Sequence, residues 1–228
     1  MKAPIILAVD TSDFDTALAW IDNTKSSVSV YKLGLEFYLN FGSDGVSRII
    51  EETGAEIFLD LKLHDIPNTV ASATAQVAPL KPKFLTVHAS GGGAMIKAAS
   101  VAAPNTDITA VTILTSLSQE DMVEIGYEGS PLNRAIELAK LAVNSGARAI
   151  VCSPLEIQGI RSAIPDHISI ITPGIRPLGE SGGDDQKRVM DPKSALNAGA
   201  NYLVIGRPIT SAPNIPEAAK KILNEALS

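Results

Sequence analysis

Ile57-Phe58-Leu59-Asp60-Leu61-Lys62-Leu63-His64-Asp65-Ile66-Pro67-Asn68-Thr69 is the stretch whose reading decides the fold. It opens as an apolar, strand-like run and then places two acids around one lysine. In a strand, Asp60 and Lys62 lie two apart and point to the same side. Asp65 falls after the strand should end, where the chain is free to turn. Opposite charges in an otherwise apolar stretch are costly to desolvate, and chemistry is the leading reason to keep them.

The same form, an apolar run that ends in polar residues, recurs along the chain. The runs are Ile5–Asp10, Val28–Leu33, Glu56–Lys62, Phe84–His88, Ile108–Leu114, Ala149–Cys152, Ile168–Thr172 and Tyr202–Ile205. Most are continuous hydrophobics rather than alternating ones, as in parallel strands with both faces covered. Between them lie segments with apolar residues three or four apart, such as Asn133–Asn144 and Ile215–Leu227, which predict helices. Ser12-Asp13 is a candidate cap for the first helix. Gly54, Gly146 and Gly199 sit just past helical segments, where a left-handed C-terminal cap is expected.

Eight strand–helix units in 228 residues predict an α/β fold, a (β/α)8 TIM barrel formed as a single domain over residues 1–228. A doubly wound sheet competes, but no Gly-x-Gly-x-x-Gly turn follows the first strand. Gly91-Gly92-Gly93 lacks that spacing and reads as a loop opening the fourth helix. No Pro/Gly/Ser linker divides the chain.

The formal charge of −6 argues against a general nucleic-acid binder. Hydrophobic residues at 45% argue against disorder. Cys152 is the single cysteine, so no internal disulfide can form, and a reducing cytoplasmic setting is expected. Its plainest reading is a small buried hydrophobe. The run Ile5–Val9 is interrupted by Asp10, too soon for a signal peptide or a membrane span. No membrane association is expected.

In a barrel, active sites form at the C-terminal ends of the strands and in the loops that follow. Asp10 ends the first run, Lys32 lies near the end of the second, and Asp60 and Lys62 end the third. His88 ends the fourth, Thr115, Ser116 and Ser118 follow the fifth, and Ser153 ends the sixth. The alternation among Asp10, Lys32, Asp60, Lys62 and Asp65 keeps lysines protonated and carboxylates ionised, because opposite neighbours favour charged forms. A lysine held between carboxylates is a poor nucleophile but a well-placed proton donor. A structural ion-pair network at the barrel mouth is the competing reading.

A second constellation pairs Thr172-Pro173-Gly174-Ile175-Arg176-Pro177 with Ile205-Gly206-Arg207-Pro208. Loops after strands seven and eight are the usual phosphate site of such barrels. Glycine lets backbone N–H groups approach an anion, and arginine offers a bidentate fork. Between them, the polar, glycine-rich stretch Leu178–Gln186 reads as a lid over a bound ligand. An ordinary surface loop is the plainer alternative. His64 and His88 invite a metal, but Lys62 puts a cation where the metal would sit, so no metal ligand is assigned. His167 falls before strand seven, on the opposite rim.

Asp60-x-Lys62-x-x-Asp65-Ile66-Pro67-Asn68-Thr69, with Pro173-Gly174-Ile175-Arg176-Pro177 and Ile205-Gly206-Arg207-Pro208, closely resembles the bacterial orotidine 5′-monophosphate decarboxylase family. The resemblance runs from Leu7-Ala8-Val9-Asp10 to the final helix. The Asp-x-Lys-x-x-Asp core belongs to a wider superfamily, and the Ile-Pro-Asn-Thr extension and the two arginine motifs narrow it. It implies a cofactor-free decarboxylation of orotidine monophosphate (OMP) to uridine monophosphate (UMP), the last step of de novo pyrimidine synthesis. It also implies a homodimer with shared active sites.

By the resemblance, Asp60 sits against the substrate carboxylate and Lys62 donates a proton to C6. Asp65 reaches into the partner subunit's site, with Thr69 beside it. Lys32 and Asp10 hold the ribose hydroxyls, and Pro173, Arg176, Gly206 and Arg207 belong to the phosphate end. Gln186 bridges from the lid, which is one residue longer after Arg176 than in common bacterial members. Thr115 is the first choice for base contact and Ser118 the alternative. Two rivals stand beside this function. One is a Mg²⁺-dependent sugar-phosphate lyase or decarboxylase of the same superfamily, and the other is a non-catalytic barrel that binds a nucleotide.

Overall fold

Each apolar run of the sequence becomes one strand of a closed, all-parallel ring. A computed structural model of the chain describes residues 3–177 and 189–228. The strands are β1 (Ile5–Ala8), β2 (Val30–Gly34), β3 (Ile57–Leu63), β4 (Phe84–His88), β5 (Asp107–Val111), β6 (Ala149–Val151), β7 (Ser169–Thr172) and β8 (Tyr202–Ile205). Each pairs with the next, and β8 closes on β1 through Ile5 opposite Leu203 and Leu7 opposite Ile205. This is the (β/α)8 barrel expected from the runs.

The connections carry helices α1 (Phe14–Thr24), α2 (Leu35–Thr53), α3 (Pro67–Val77), α4 (Gly93–Ala102), α5 (Gln119–Glu124) and α6 (Pro131–Asn144). They continue with α7 (Ile157–Arg161), α8 (Pro192–Asn197), α9 (Arg207–Thr210) and α10 (Ile215–Leu227). Asp13 caps α1 by accepting the Thr16 N–H at 2.7 Å. α6 starts two residues before the expected Asn133, because Ser130 caps it, accepting the Asn133 N–H at 3.2 Å, and Pro131 fills its first position. Gly54, Gly146 and Gly199 take φ of +67°, +101° and +110°, as their places after helices require.

Strand ends fall short of the expected ones at three places. β1 stops at Ala8 rather than Asp10, β5 at Val111 rather than Leu114, and β6 at Val151 rather than Cys152. Val9 and Ile113 are buried beyond the last residues of their strands, so hydrophobicity overruns the strand ends there.

The strands divide their side chains between two cores. Ile6, Val30, Phe58, Phe84, Ala149 and Ile171 form one cluster inside the ring. Their sequence neighbours Ile5, Leu7, Tyr31, Ile57, Leu59 and Leu85 pack outward against the helices. Both faces are covered, which is why the runs read as continuous rather than alternating. Phe58 and Phe84 meet edge-to-face at 5.6 Å, and Phe84 meets Tyr202 at 5.4 Å. Each such buried ring contributes roughly 1.5–3 kcal/mol through burial. This plug supports the polar layer above it.

Candidate active site

One inward step above the plug, the side chains change character. Two residues on from Val30, Phe58 and Phe84 stand Lys32, Asp60 and Thr86, on the same face of their strands. Lys32 Nζ donates to Asp10 Oδ1 at 2.9 Å and lies 3.7 Å from Asp60 Oδ2. Lys62 Nζ is 2.8 Å from both Asp60 oxygens. Asp10, Lys32, Asp60 and Lys62 thus form one chain of alternating charge, with the Lys32 and Asp60 side chains each only 12% exposed. Burial alone would push the Asp60 carboxyl up, but Lys32 and Lys62 outweigh it and hold the group below its ordinary value.

The third strand reaches this arrangement by an irregular route. The β3–β4 register runs from Leu59 opposite Leu85 to Leu63 opposite Val87, so four steps on β3 oppose two on β4. Lys62 lies within this bulge at φ +48°, in the left-handed region. For a residue with a Cβ, that conformation costs about 1–2 kcal/mol. The simple strand rule therefore brings Asp60 and Lys62 together for the wrong reason: a bulge, not a regular pleat, aims the lysine. The Lys62 N–H donates to Thr86 Oγ1 at 2.8 Å, and Thr86 Oγ1 lies 3.0 Å from Asp60 Oδ1.

Gly34 closes β2 beside this cluster. A Cβ there would stand 3.2 Å from Lys32 Nζ and 3.3 Å from Asp10 Oδ1, so glycine leaves room for the ion pair.

The charges open into a cavity of about 530 Å³ at the C-terminal end of the barrel. Asp10, Lys32, Asp60 and Lys62 line it, as do Thr115, Pro173, Arg176, Gly206 and Arg207. Nine expected site residues thus share one space. After β7 the chain returns at Met190, whose carbonyl accepts the Arg176 N–H at 3.0 Å, which anchors the loop base under Arg176. Gly206 follows β8 and leads directly into α9, where Arg207 is the first residue.

Other expected residues lie elsewhere. Asp65, between β3 and α3, and Thr69, in the first turn of α3, are exposed and do not line the cavity. The Asp65 carboxylate accepts its neighbour Ile66 N–H at 2.6 Å. Ser118 does not line the cavity either. It caps α5, accepting the Asp121 N–H at 3.2 Å while Asp121 accepts the Ser118 N–H at 2.7 Å. That reciprocal box is legible as Ser-x-x-Asp. Ser153 likewise caps a turn, over Pro154–Glu156. Gln186 and the lid stretch Leu178–Gln186 lie outside the described residues.

Several cavity residues were not anticipated: Phe58, Val111, Ile113, Val151 and Val204 supply an apolar wall. Counting two back from Asp60 would have found Phe58. Cys152 borders the cavity and is 1% exposed.

His64 and His88 face each other with ring centroids 5.4 Å apart. Burial first, then His64 and Lys62, push the His88 imidazole below its usual value, so it is neutral near pH 7. Among the described residues, no group of three or more His, Cys, Asp or Glu side chains is placed to hold a metal ion, and no helix is long and apolar enough to cross a membrane.

Comparison with known proteins agrees with this geometry. Residues 3–222 match the model of the orotidine 5′-phosphate decarboxylase / HUMPS family. An orotidine 5′-phosphate decarboxylase of Thermobifida fusca is 48% identical over 225 residues, covering 99% of this chain and 96% of that protein. The enzyme of that name from Gluconobacter oxydans is 44% identical, covering 100% and 98%. Among solved structures, orotidine 5′-phosphate decarboxylase from Lactobacillus acidophilus superposes with a TM-score of 0.85 at 34% identity, covering all of both chains. That from Pyrococcus horikoshii superposes with 0.80 at 30% identity, covering 98% and 99%. A family match over residues 3–222, and relatives above 40% identity covered to 96% and 98% of their length, leave one assignment: the chain belongs to the orotidine 5′-phosphate decarboxylase / HUMPS family.

Proposed function

We propose that this chain converts OMP to UMP and carbon dioxide without a cofactor, as the last step of de novo pyrimidine synthesis. The observation that carries the reading is one cavity lined both by the Asp10–Lys32–Asp60–Lys62 chain and by Arg176, Gly206 and Arg207.

The chemistry asks for such a site. When the bond from C6 to the carboxylate breaks, the electron pair stays on C6 as an sp² carbanion. Lys62, held as an ammonium against Asp60, stabilises that charge as it develops and then gives C6 its proton. Water afterwards returns a proton to the amine. Asp60 stands against the departing carboxylate, and Lys32 and Asp10 take the ribose hydroxyls. Arg176, Arg207 and the Gly206 N–H hold the phosphate, with Pro173 shaping that end and Thr115 meeting the base. Binding energy from the remote phosphate orders the site for the reaction, and Gln186 acts from the lid.

The Asp65–Thr69 segment serves a partner's site in a homodimer. Asp65 is exposed, and Ile66, 65% exposed, and Leu39, 81% exposed, present apolar surface after neighbouring strands on the same rim. A second copy would cover that surface. The enzyme works in the cytosol, where soluble nucleotides are met and Cys152 stays reduced.

A divalent-metal reaction of the same superfamily is disfavoured by Lys62, which engages both Asp60 oxygens where the metal would bind. The direct test follows the ultraviolet absorbance of OMP with EDTA-treated protein. Loss of the orotate chromophore and release of carbon dioxide support the proposal. An activity that appears only with added Mg²⁺ would favour the metal-dependent reading, and binding of UMP without any turnover of OMP would favour a silent barrel.

A further inference from the structure

Thr86 sits on the inward face of β4, fully buried, one step above Phe84 and behind the cavity rather than in its wall. Its hydroxyl oxygen is 2.8 Å from the Lys62 nitrogen and 3.0 Å from Asp60 Oδ1. The direction of both bonds is fixed by chemistry. A backbone N–H can only donate, so Thr86 Oγ1 accepts from Lys62. The hydroxyl has one proton, and an ionised carboxylate can only accept, so that proton goes to Asp60.

The Lys62 N–H needs this partner. In the bulge between Leu59 and Leu63 the regular ladder to β4 is broken, and a buried N–H without a partner is rare. Lys62 is also held in the left-handed region, which persists only where the surroundings over-determine it. Thr86 replaces the missing ladder bond with a side-chain bond and passes the connection on to the carboxylate that faces Lys62 Nζ.

We propose that Thr86 is a positioning residue of the reaction: its hydroxyl locks the backbone of Lys62 and the carboxylate of Asp60 into one unit, so that proton donor and counter-charge keep their mutual geometry. The inference deepens the decarboxylase reading of this site and rests on it. A hydroxyl that merely satisfies a buried N–H would affect folding and ligand binding alike. A positioning hydroxyl acts on the chemical step.

The test compares the full-length wild type with Thr86→Val and Thr86→Ser, by OMP turnover, UMP affinity and thermal unfolding. Valine keeps the shape and removes the hydroxyl; serine keeps the hydroxyl. Thr86→Val should lower kcat about tenfold or more, with the UMP Kd within about twofold of wild type, because misaligned reacting groups cost rate more than binding. Thr86→Ser should recover kcat to within about threefold of wild type. The acidic limb of kcat should move to higher pH in Thr86→Val, since Asp60 loses a donor to its charged form.

If Thr86→Val does not fold, Thr86→Ala carries the same expectation. Unchanged kcat in the hydroxyl-free variant overturns the inference, as does a loss of kcat matched by an equal loss of UMP affinity, or a serine variant no better than valine. An inactive wild type sinks the decarboxylase reading and this inference together. An active wild type equalled by Thr86→Val sinks the inference alone.

Discussion

Lys62 and Asp60 are joined twice, directly by an ammonium 2.8 Å from both carboxylate oxygens and indirectly through the Thr86 hydroxyl. The double link makes Asp60 the hub of the charge chain, since Lys32 Nζ also lies 3.7 Å from its Oδ2. A buried carboxylate between two lysines stabilises the fold only while it stays ionised.

Asp60→Asn should therefore destabilise the protein by about 1–3 kcal/mol at neutral pH, less than for a fully buried pair because the cavity wets both lysines. The pH dependence has a definite sign. Asp60 is held below its reference value of 3.8, so near and below that value the folded chain binds fewer protons than the unfolded one. Its contribution is full above that value and is lost as pH falls through the lower folded pKa. Urea midpoints from pH 7 to 3 should fall in the wild type, and this part of the fall should be missing from Asp60→Asn. Parallel profiles would contradict the assignment.

Gly34→Ala separates stability from function. The backbone at Gly34 has φ −92°, which alanine accepts, so stability should hold or rise by up to about 1 kcal/mol. The new Cβ would press on Lys32 Nζ and Asp10 Oδ1, and kcat/KM for OMP should fall several-fold. Steady-state kinetics beside thermal unfolding checks both halves. Full activity would show that the Asp10–Lys32 pair tolerates displacement.

Arg207→Ala should raise KM and lower kcat for OMP together, a loss of about 2–4 kcal/mol in kcat/KM, as for a charge-assisted phosphate contact used in binding and in the transition state. The same substitution should change little for orotidine, which has no phosphate. Equal losses on nucleotide and nucleoside would place the phosphate elsewhere.

On the proposed homodimer with shared sites, the Asp65→Ala and Lys62→Ala proteins should each be nearly inactive. Mixed and allowed to exchange, they should recover about a quarter of wild-type activity, because half the dimers then hold one intact site of two. No recovery in verified heterodimers would mean that Asp65 serves its own chain's site or none.

Much of this was legible in the chain because parallel strands covered on both faces leave long apolar runs, and because the barrel gathers whatever follows them at one end. Asp10, Lys32, Asp60, Thr115 and Arg207 come from five different strand–loop junctions, yet all line one cavity. What hydrophobicity could not give is where ladders stop: Val9 and Ile113 stay buried beyond their strands. Nor could a two-residue period foresee the bulge that turns Lys62 to φ +48°, since that depends on a β4 side chain 24 residues away. Ser118 was legible in two ways, as a hydroxyl near the base and as the start of Ser-x-x-Asp, and it caps α5.

The central claim is that Lys62 supplies the proton, and Lys62→Ala measured for both turnover and UMP binding tests it most directly. The expected result is a fall in kcat of at least about 10⁴-fold, as general-acid and electrostatic contributions vanish together, with UMP still bound through the phosphate end. Near-normal decarboxylation by Lys62→Ala would contradict it.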